Sequence, residues 1–301
     1  MRETFETPGR VLVRVRNRAG LIEVRAQDRT TTEVEVTPLD DGPGAVETAA
    51  ATRVALDGSG DRQTVRVEVP PDDGGAGGAG GLLRRMINFP NNPRIHVRVF
   101  CPAGSSALDV ETASASVDAT GLLESADVTT ASGEVELGPV AADLRVRTAS
   151  GDVALASVGG EARVETASGG VRAGRFEGPA TVHAASGDVR IDSAGSRIDV
   201  HTASGDVMVR EAAAGCEVRT ASGDQLLERL AGGQVRLDTV SGDIVAGIAK
   251  GTNLEVDAQT LSGDLRSEIP LDEERSGGED GSTVELRVRT VSGDVQLRRA
   301  P

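Results

Sequence analysis

The chain has 301 residues, a formal net charge of −15 and 38% hydrophobic residues. That net charge disfavours nucleic acid and anionic membranes as partners, because both call for a basic face. Four phenylalanines, with no Trp and no Tyr, leave few of the aromatic anchors that interfaces and sugar-binding grooves favour.

Residues 1–104 read as a β-rich N-terminal capping region outside the register of the repeat that follows. Val11-Leu12-Val13-Arg14-Val15 and Leu21-Ile22-Glu23-Val24 alternate as strands do. Asn17-Arg18-Ala19-Gly20 between them reads as the turn of a hairpin. Glu33-Val34-Glu35-Val36 is a third strand, and the run from Glu47 to Thr52 is compatible with a helix. Residues 64–69 and 94–99 are further strands, stopped by Pro70-Pro71 and by Pro102. Residues 72–89 are an insertion, a Gly-rich loop followed by Leu82-Leu83-Arg84-Arg85-Met86-Ile87-Asn88-Phe89. That apolar, cationic stretch is either a short helix docked on the cap or a docking peptide for a partner or membrane surface.

From residue 105 to 301 the chain repeats one phrase. Serines in matching phrases fall at 114, 132, 150, 168, 186, 204 and 222, a spacing of 18, with looser copies at Ser241, Ser262 and Ser292. Thr stands two before the serine in every copy except at Ala184. Val110, Val128, Val146, Val164, Val182, Val200, Val218, Leu237 and Val288 stand four before it. Val or another aliphatic residue stands three after it, except at Gln225. Charged and polar residues alternate with these, which is the mark of short strands with one buried face. The Ser-Gly pair breaks the strand, and a second short strand such as Val153-Ala154-Leu155 follows.

No copy has the apolar spacing of a helix, and the period is too short for a propeller blade. The expected fold is therefore all-β, a single-stranded β-solenoid of about ten 18-residue coils in which like residues stack on like. Residues 270–282 are an acidic loop thrown out of the stack. The last coil in the chain, ending Val295-Gln296-Leu297-Arg298-Arg299, is the expected open end. Either Arg298 and Arg299 shield its unpaired edge by charge, or the edge pairs with another copy.

Cys101 and Cys216 read as buried free thiols, because Cys216 takes a place held elsewhere by Leu144, Ile198 and Val235. The opening residues lack the apolar core of a secretory signal, and no apolar run is long enough to span a membrane. The expectation is a cytoplasmic chain with no transmembrane segment.

Three groups of residues merit weighing as chemistry. Asp152, Asp188, Asp206, Asp224, Asp243, Asp264 and Asp294 share one repeat position, with Glu134 beside them. Stacked carboxylates invite a cation, calcium above all. The plainer reading is that they cap their turns through backbone N–H groups. His183 and His201 lie three before their serines in adjacent coils and stack on an outward face, in a row with Glu165 and Arg219. Two histidines do not make a closed metal site. The recurrent serine has no His partner, so no catalytic, cofactor-binding or metal-ligating residue is assigned.

The phrase Val146-x-Thr148-Ala149-Ser150-Gly151-Asp152-Val153-x-Leu155 resembles the bacterial putative-adhesin family of β-strand-repeat proteins, a family of unknown function. The opening Phe5…Gly9…Val11-x-Val13, the step Gly20-Leu21-Ile22-Glu23-Val24, and the entry Val97-x-Val99-x-Cys101-Pro102-Ala103-Gly104 are similar to it too. The resemblance covers nearly the whole chain. It implies a right-handed β-solenoid and carries over no catalytic residue. The reading is a non-enzymatic scaffold or interaction module, with a protein partner or self-association and no cofactor. The alternatives are a module stabilised by calcium or another cation on the Ser-Gly-Asp ladder, and a carbohydrate-active β-helix enzyme.

Overall fold

The computed structural model describes residues 1–59, 62–70, 93–269 and 282–300. The insertion at 72–89 and the acidic loop, up to residue 281, lie outside the described residues. The chain is all-β, with long parallel sheets and one helix among the described residues, and it is solenoid-like. It divides into two compact units, Met1–Ala141 and Ala142–Pro301.

In the first unit β1 (Arg2–Glu6), β2 (Arg10–Asn17), β3 (Gly20–Gln27), β4 (Thr31–Pro38), α1 (Pro43–Ala51) and β5 (Arg53–Ser59) come first. They are followed by β6 (Arg62–Glu68), β7 (Ile95–Pro102), β8 (Ser106–Thr112), β9 (Ser116–Thr120), β10 (Ser125–Thr130) and β11 (Val135–Val140). One sheet runs β10-β8-β2-β6 in parallel and closes with β5, antiparallel to β6. The other runs β11-β9-β3-β7 in parallel and closes with β4 and β1, both antiparallel. Helix α1, started by Pro43 in its first turn, packs Ala45, Thr48 and Ala49 inward against β4 and β7.

The expected hairpin is corrected here, because β2 and β3 lie in different sheets. They are the two sides of one coil that follows the repeat after all. Val15 lies opposite Val110, Asn17 opposite Thr112, and Ile22 opposite Val117. Asn17 donates its side-chain N–H to the Ile95 carbonyl at 2.9 Å. Gly20, at φ +121°, turns the chain from one sheet to the other instead of folding it back.

In the second unit the strands facing one side are β12 (Leu144–Thr148), β14 (Ala162–Ser168), β16 (Ala180–Ser186), β18 (Ile198–Ser204), β20 (Cys216–Ser222), β22 (Gly233–Ser241), β24 (Asn253–Ser262) and β26 (Thr283–Ser292). Between them in the chain come β13 (Val153–Val158), β15 (Val171–Phe176), β17 (Val189–Ala194), β19 (Val207–Ala212), β21 (Gln225–Leu230), β23 (Ile244–Ile248), β25 (Leu265–Ser267) and β27 (Val295–Arg299), which form the other sheet. Pairing is parallel and places repeat on repeat: Val164 faces Val182, Val182 faces Val200 and Val200 faces Val218. These valines are fully buried, and so are Val171, Val189 and Val207 in the opposite sheet. Stacking thus lines the core with one aliphatic row per repeat position.

The order of coils at the end departs from the order in the chain. β26 lies between β22 and β24, and β27 lies between β23 and β25. The outermost coil is therefore 253–267, and Val295–Leu297 is paired on both sides. This corrects the expectation that Arg298 and Arg299 guard an open last coil. The core-facing residues supply the reason. Val288 and Leu297 of the inner coil stand where the outer coil has Ala258 and Ser267. Enclosing the more apolar coil removes more apolar surface from water.

Candidate functional surface

The Ser-Gly step takes two forms. At Thr112, Thr130 and Thr148 the hydroxyl accepts the backbone N–H three residues on, each at 2.9 Å, closing a tight turn. From Ser168 onward the strand runs through the serine. There the glycine N–H donates to the serine carbonyl of the next coil instead, as from Gly169 to Ser186 at 3.1 Å and from Gly187 to Ser204 at 3.0 Å. The side chains of Ser168, Ser186, Ser204 and Ser222 are exposed at this corner.

The aspartates line the same corner. Asp188 Oδ1 accepts the N–H of Asp206 at 3.2 Å, and Asp206 Oδ1 accepts that of Asp224 at 2.9 Å. The chain of contacts continues through Asp243 and Asp294 to Asp264 at 2.8–2.9 Å. Asp188, Asp206, Asp224, Asp243 and Asp294 each cap the neighbouring coil, where sequence reasoning placed the cap in the residue's own turn. Arg190 and Arg266 add ion pairs to Asp188 and Asp264 at 3.1 and 2.8 Å. Among the described residues no group of three or more His, Cys, Asp and Glu is placed to hold a metal ion.

His183 and His201 stack as expected, with ring centroids 5.0 Å apart and planes at 23°. Burial holds His201 below its usual pKa, and the charge of His183 lowers it further. Their neighbour Glu165 is held below the usual carboxylate range, first by a hydrogen bond from Arg163 at 2.6 Å. Both cysteines are buried free thiols; burial pushes Cys216 up to about 12.

Sequence reasoning missed two features. One is a charge network on the first unit, where Glu23 takes hydrogen bonds from Arg98 at 2.8 Å and His96 at 3.1 Å and also pairs with Arg25. Arg98 and His96 are far from Glu23 in the chain, and only the pairing of β3 with β7 brings them to it. The other is a groove of about 500 Å³ on the second unit, lined by Arg197, Glu217, Gln234, Arg236, Glu255, Asp257, Glu285 and Arg287. Its far wall belongs to β24.

Solved structures of similar extent exist at low likeness. A putative lipid binding protein from Parabacteroides distasonis is 10% identical, with 99% of this chain and 96% of that one covered and a TM-score of 0.39. A putative adhesin from Bacteroides fragilis is 9% identical over 98% and 96%, with a TM-score of 0.36. A putative cell adhesion protein from Clostridium sporogenes is 9% identical over 99% of each chain, with a TM-score of 0.24. No curated protein is similar enough to match. The family match is of another order, since it runs over residues 14–298 and so takes in the Val15 to Ile22 coil as well as the Ser-Gly repeats. The chain belongs to the Toastrack DUF4097 family.

Proposed function

We propose that this chain is a non-enzymatic scaffold that binds another protein, built as a single-stranded, right-handed solenoid of about ten coils. One observation carries the reading: the polar side chains at repeat positions hold the stack together and present fixed rows outward. The Asp row caps backbone N–H groups of neighbouring coils. The outer rows form ion pairs along and across the strands, such as Arg197 with Asp199 and Glu217, and Arg236 with Asp238. A rigid face with charges in fixed register selects partners by complementarity more than by burying aromatic anchors.

Affinity capture with the immobilised chain, followed by reconstitution from purified components, tests this. The expected result is a stoichiometric complex whose association slows with added salt. Reproducible turnover of a glycan, lost when one exposed carboxylate is changed to Ala, would overturn it in favour of an enzyme.

A further inference from the structure

The outermost coil of the second unit has no described strand beyond it. Asn253 of β24 donates its N–H back to the Ser282 carbonyl beside β26, at 3.0 Å. In a parallel strand, alternate residues direct their N–H and C=O to opposite sides. The backbone groups of Leu254, Val256, Ala258 and Thr260 therefore point away from β26, to the side where no described strand pairs with them. The same four residues face the core but are only half-buried. Their counterparts Val284, Leu286, Val288 and Thr290 are buried. Leu265 is 47% exposed where its counterpart Val295 is 1% exposed. In the first unit, by contrast, β1, β4 and β5 run antiparallel and end the parallel stack.

We infer that the edge of β24, where no described strand pairs, is a docking site for an extended segment of another protein, in which apolar residues alternate with Lys or Arg. This rests on the reading of the chain as an interaction module and names where and what it binds. Backbone pairing would extend the sheet, as in strand addition to an exposed edge. The apolar residues of the incoming segment would cover Leu254, Val256 and Ala258. Its basic residues are called for by the outward row of β24, where Glu255 and Asp257 are exposed. β26 gives the pattern of a strand that fits: Val284, Leu286 and Val288 face inward while Arg287 lies opposite Asp257, 3.4 Å away. Beside the edge, the corner position before the repeat serine changes from alanine in earlier coils to Val240, Val291 and Leu261. Leu261, on the edge strand itself, is 83% exposed. A second copy is the poorer occupant. It would bring Glu255 and Asp257 against their own kind, and each chain carries a net charge of −15.

The test uses the full chain and a fluorescein-labelled decapeptide with the sequence of β26, followed by fluorescence anisotropy. A second decapeptide carries Glu in place of both arginines. The wild type should bind the Arg peptide saturably and about tenfold or more tighter than the Glu peptide. Ala258→Pro removes an edge N–H without touching the β26 ladder and should abolish binding, with the circular dichroism spectrum unchanged. Asp257→Lys should invert the preference between the two peptides and carries the test alone where Ala258→Pro does not fold. Equal binding of both peptides, or full binding by Ala258→Pro, would overturn the inference. So would a concentration-dependent dimer that Ala258→Pro dissolves, which would make a second copy the occupant. A purified partner held equally by the wild type and Ala258→Pro would leave the module reading standing and refute this edge as its site.

Discussion

Replacing Gly205 by Ala tests whether the stack depends on glycine at the corner. Gly205 has φ +140°, and a Cβ built there would lie 2.3 Å from the Gly187 carbonyl oxygen and 2.7 Å from its carbon. Ordinary contact begins at 3.4 Å, so backbone must move by about an ångström, because no flexible side chain is there to yield. The backbone conformation alone costs about 1–3 kcal/mol for a residue with a Cβ. The overpacking adds about 1–3 kcal/mol more. Any shift also disturbs the hydrogen bonds from Gly187 to Ser204 and from Gly205 to Ser222, at 3.0 and 3.1 Å. We expect a loss of about 2–5 kcal/mol in urea unfolding followed by far-ultraviolet circular dichroism, since the chain has no Trp or Tyr to report by fluorescence. Gly195→Ala is the control: its Cβ would meet nothing closer than 3.6 Å and its φ is not positive. A Gly205→Ala loss below about 1 kcal/mol, or one matched by Gly195→Ala, would refute the reasoning.

Three further outcomes are expected. Asp206→Ala should lower the free energy of urea unfolding by the worth of one hydrogen bond, roughly 0.5–1.5 kcal/mol, while Asp206→Asn, which keeps an acceptor for the Asp224 N–H, should change it little. Neither Cys101 nor Cys216 should react with a thiol reagent in the native protein, and both should react in denaturant, because burial raises both thiols. The melting temperature should fall as pH drops below about 6.5 and fall again below about 4.5, as a pH titration by circular dichroism would register. Burial holds His201 below the usual 6.5 of a histidine, so it supports the fold above that value and withdraws support as pH falls through its lowered folded value. Glu165 has the same sign in the carboxylate range, and so does Glu23, whose burial raises its pKa less than Arg98 and Arg25 lower it. His201→Gln should remove the upper part of the fall; a melting temperature that does not change between about pH 7 and pH 5 would exclude a role for the histidine pair.

Periodicity made the parallel stack legible, because a strict spacing of like residues has one economical solution in space. The first coil is hidden in the sequence because the repeat is recognised by its serine. Val15, Gly20 and Ile22 keep the spacing, but Asn17 and Ala19 replace the Thr and Ser, so the segment passed for a hairpin turn. The Asp row was legible as a position and illegible as a contact. Which N–H each carboxylate meets depends on register with the next coil, and no local sequence states that. The Glu23 network was hidden for the same reason, since Arg98 reaches it only once β7 lies on β3.

The exchanged order of the last two coils is the least legible feature, and mutation can test it. Nearly identical phrases carry no address, so the choice of neighbour falls to the few positions where the coils differ. If coil 253–267 is outermost, Val295 is a core residue and Leu265 a surface one. Val295→Ala should then cost about 1.5–3 kcal/mol, the loss expected for a fully buried aliphatic side chain. Leu265→Ala, although it deletes the larger side chain, should cost under about 1 kcal/mol because the leucine is already 47% exposed. Were the coils stacked in chain order, 283–299 would be the open end and the ranking would reverse. The comparison needs only two variants and one denaturation curve for each. It bears directly on the docking proposal, since the edge offered to a partner belongs to whichever coil lies outermost.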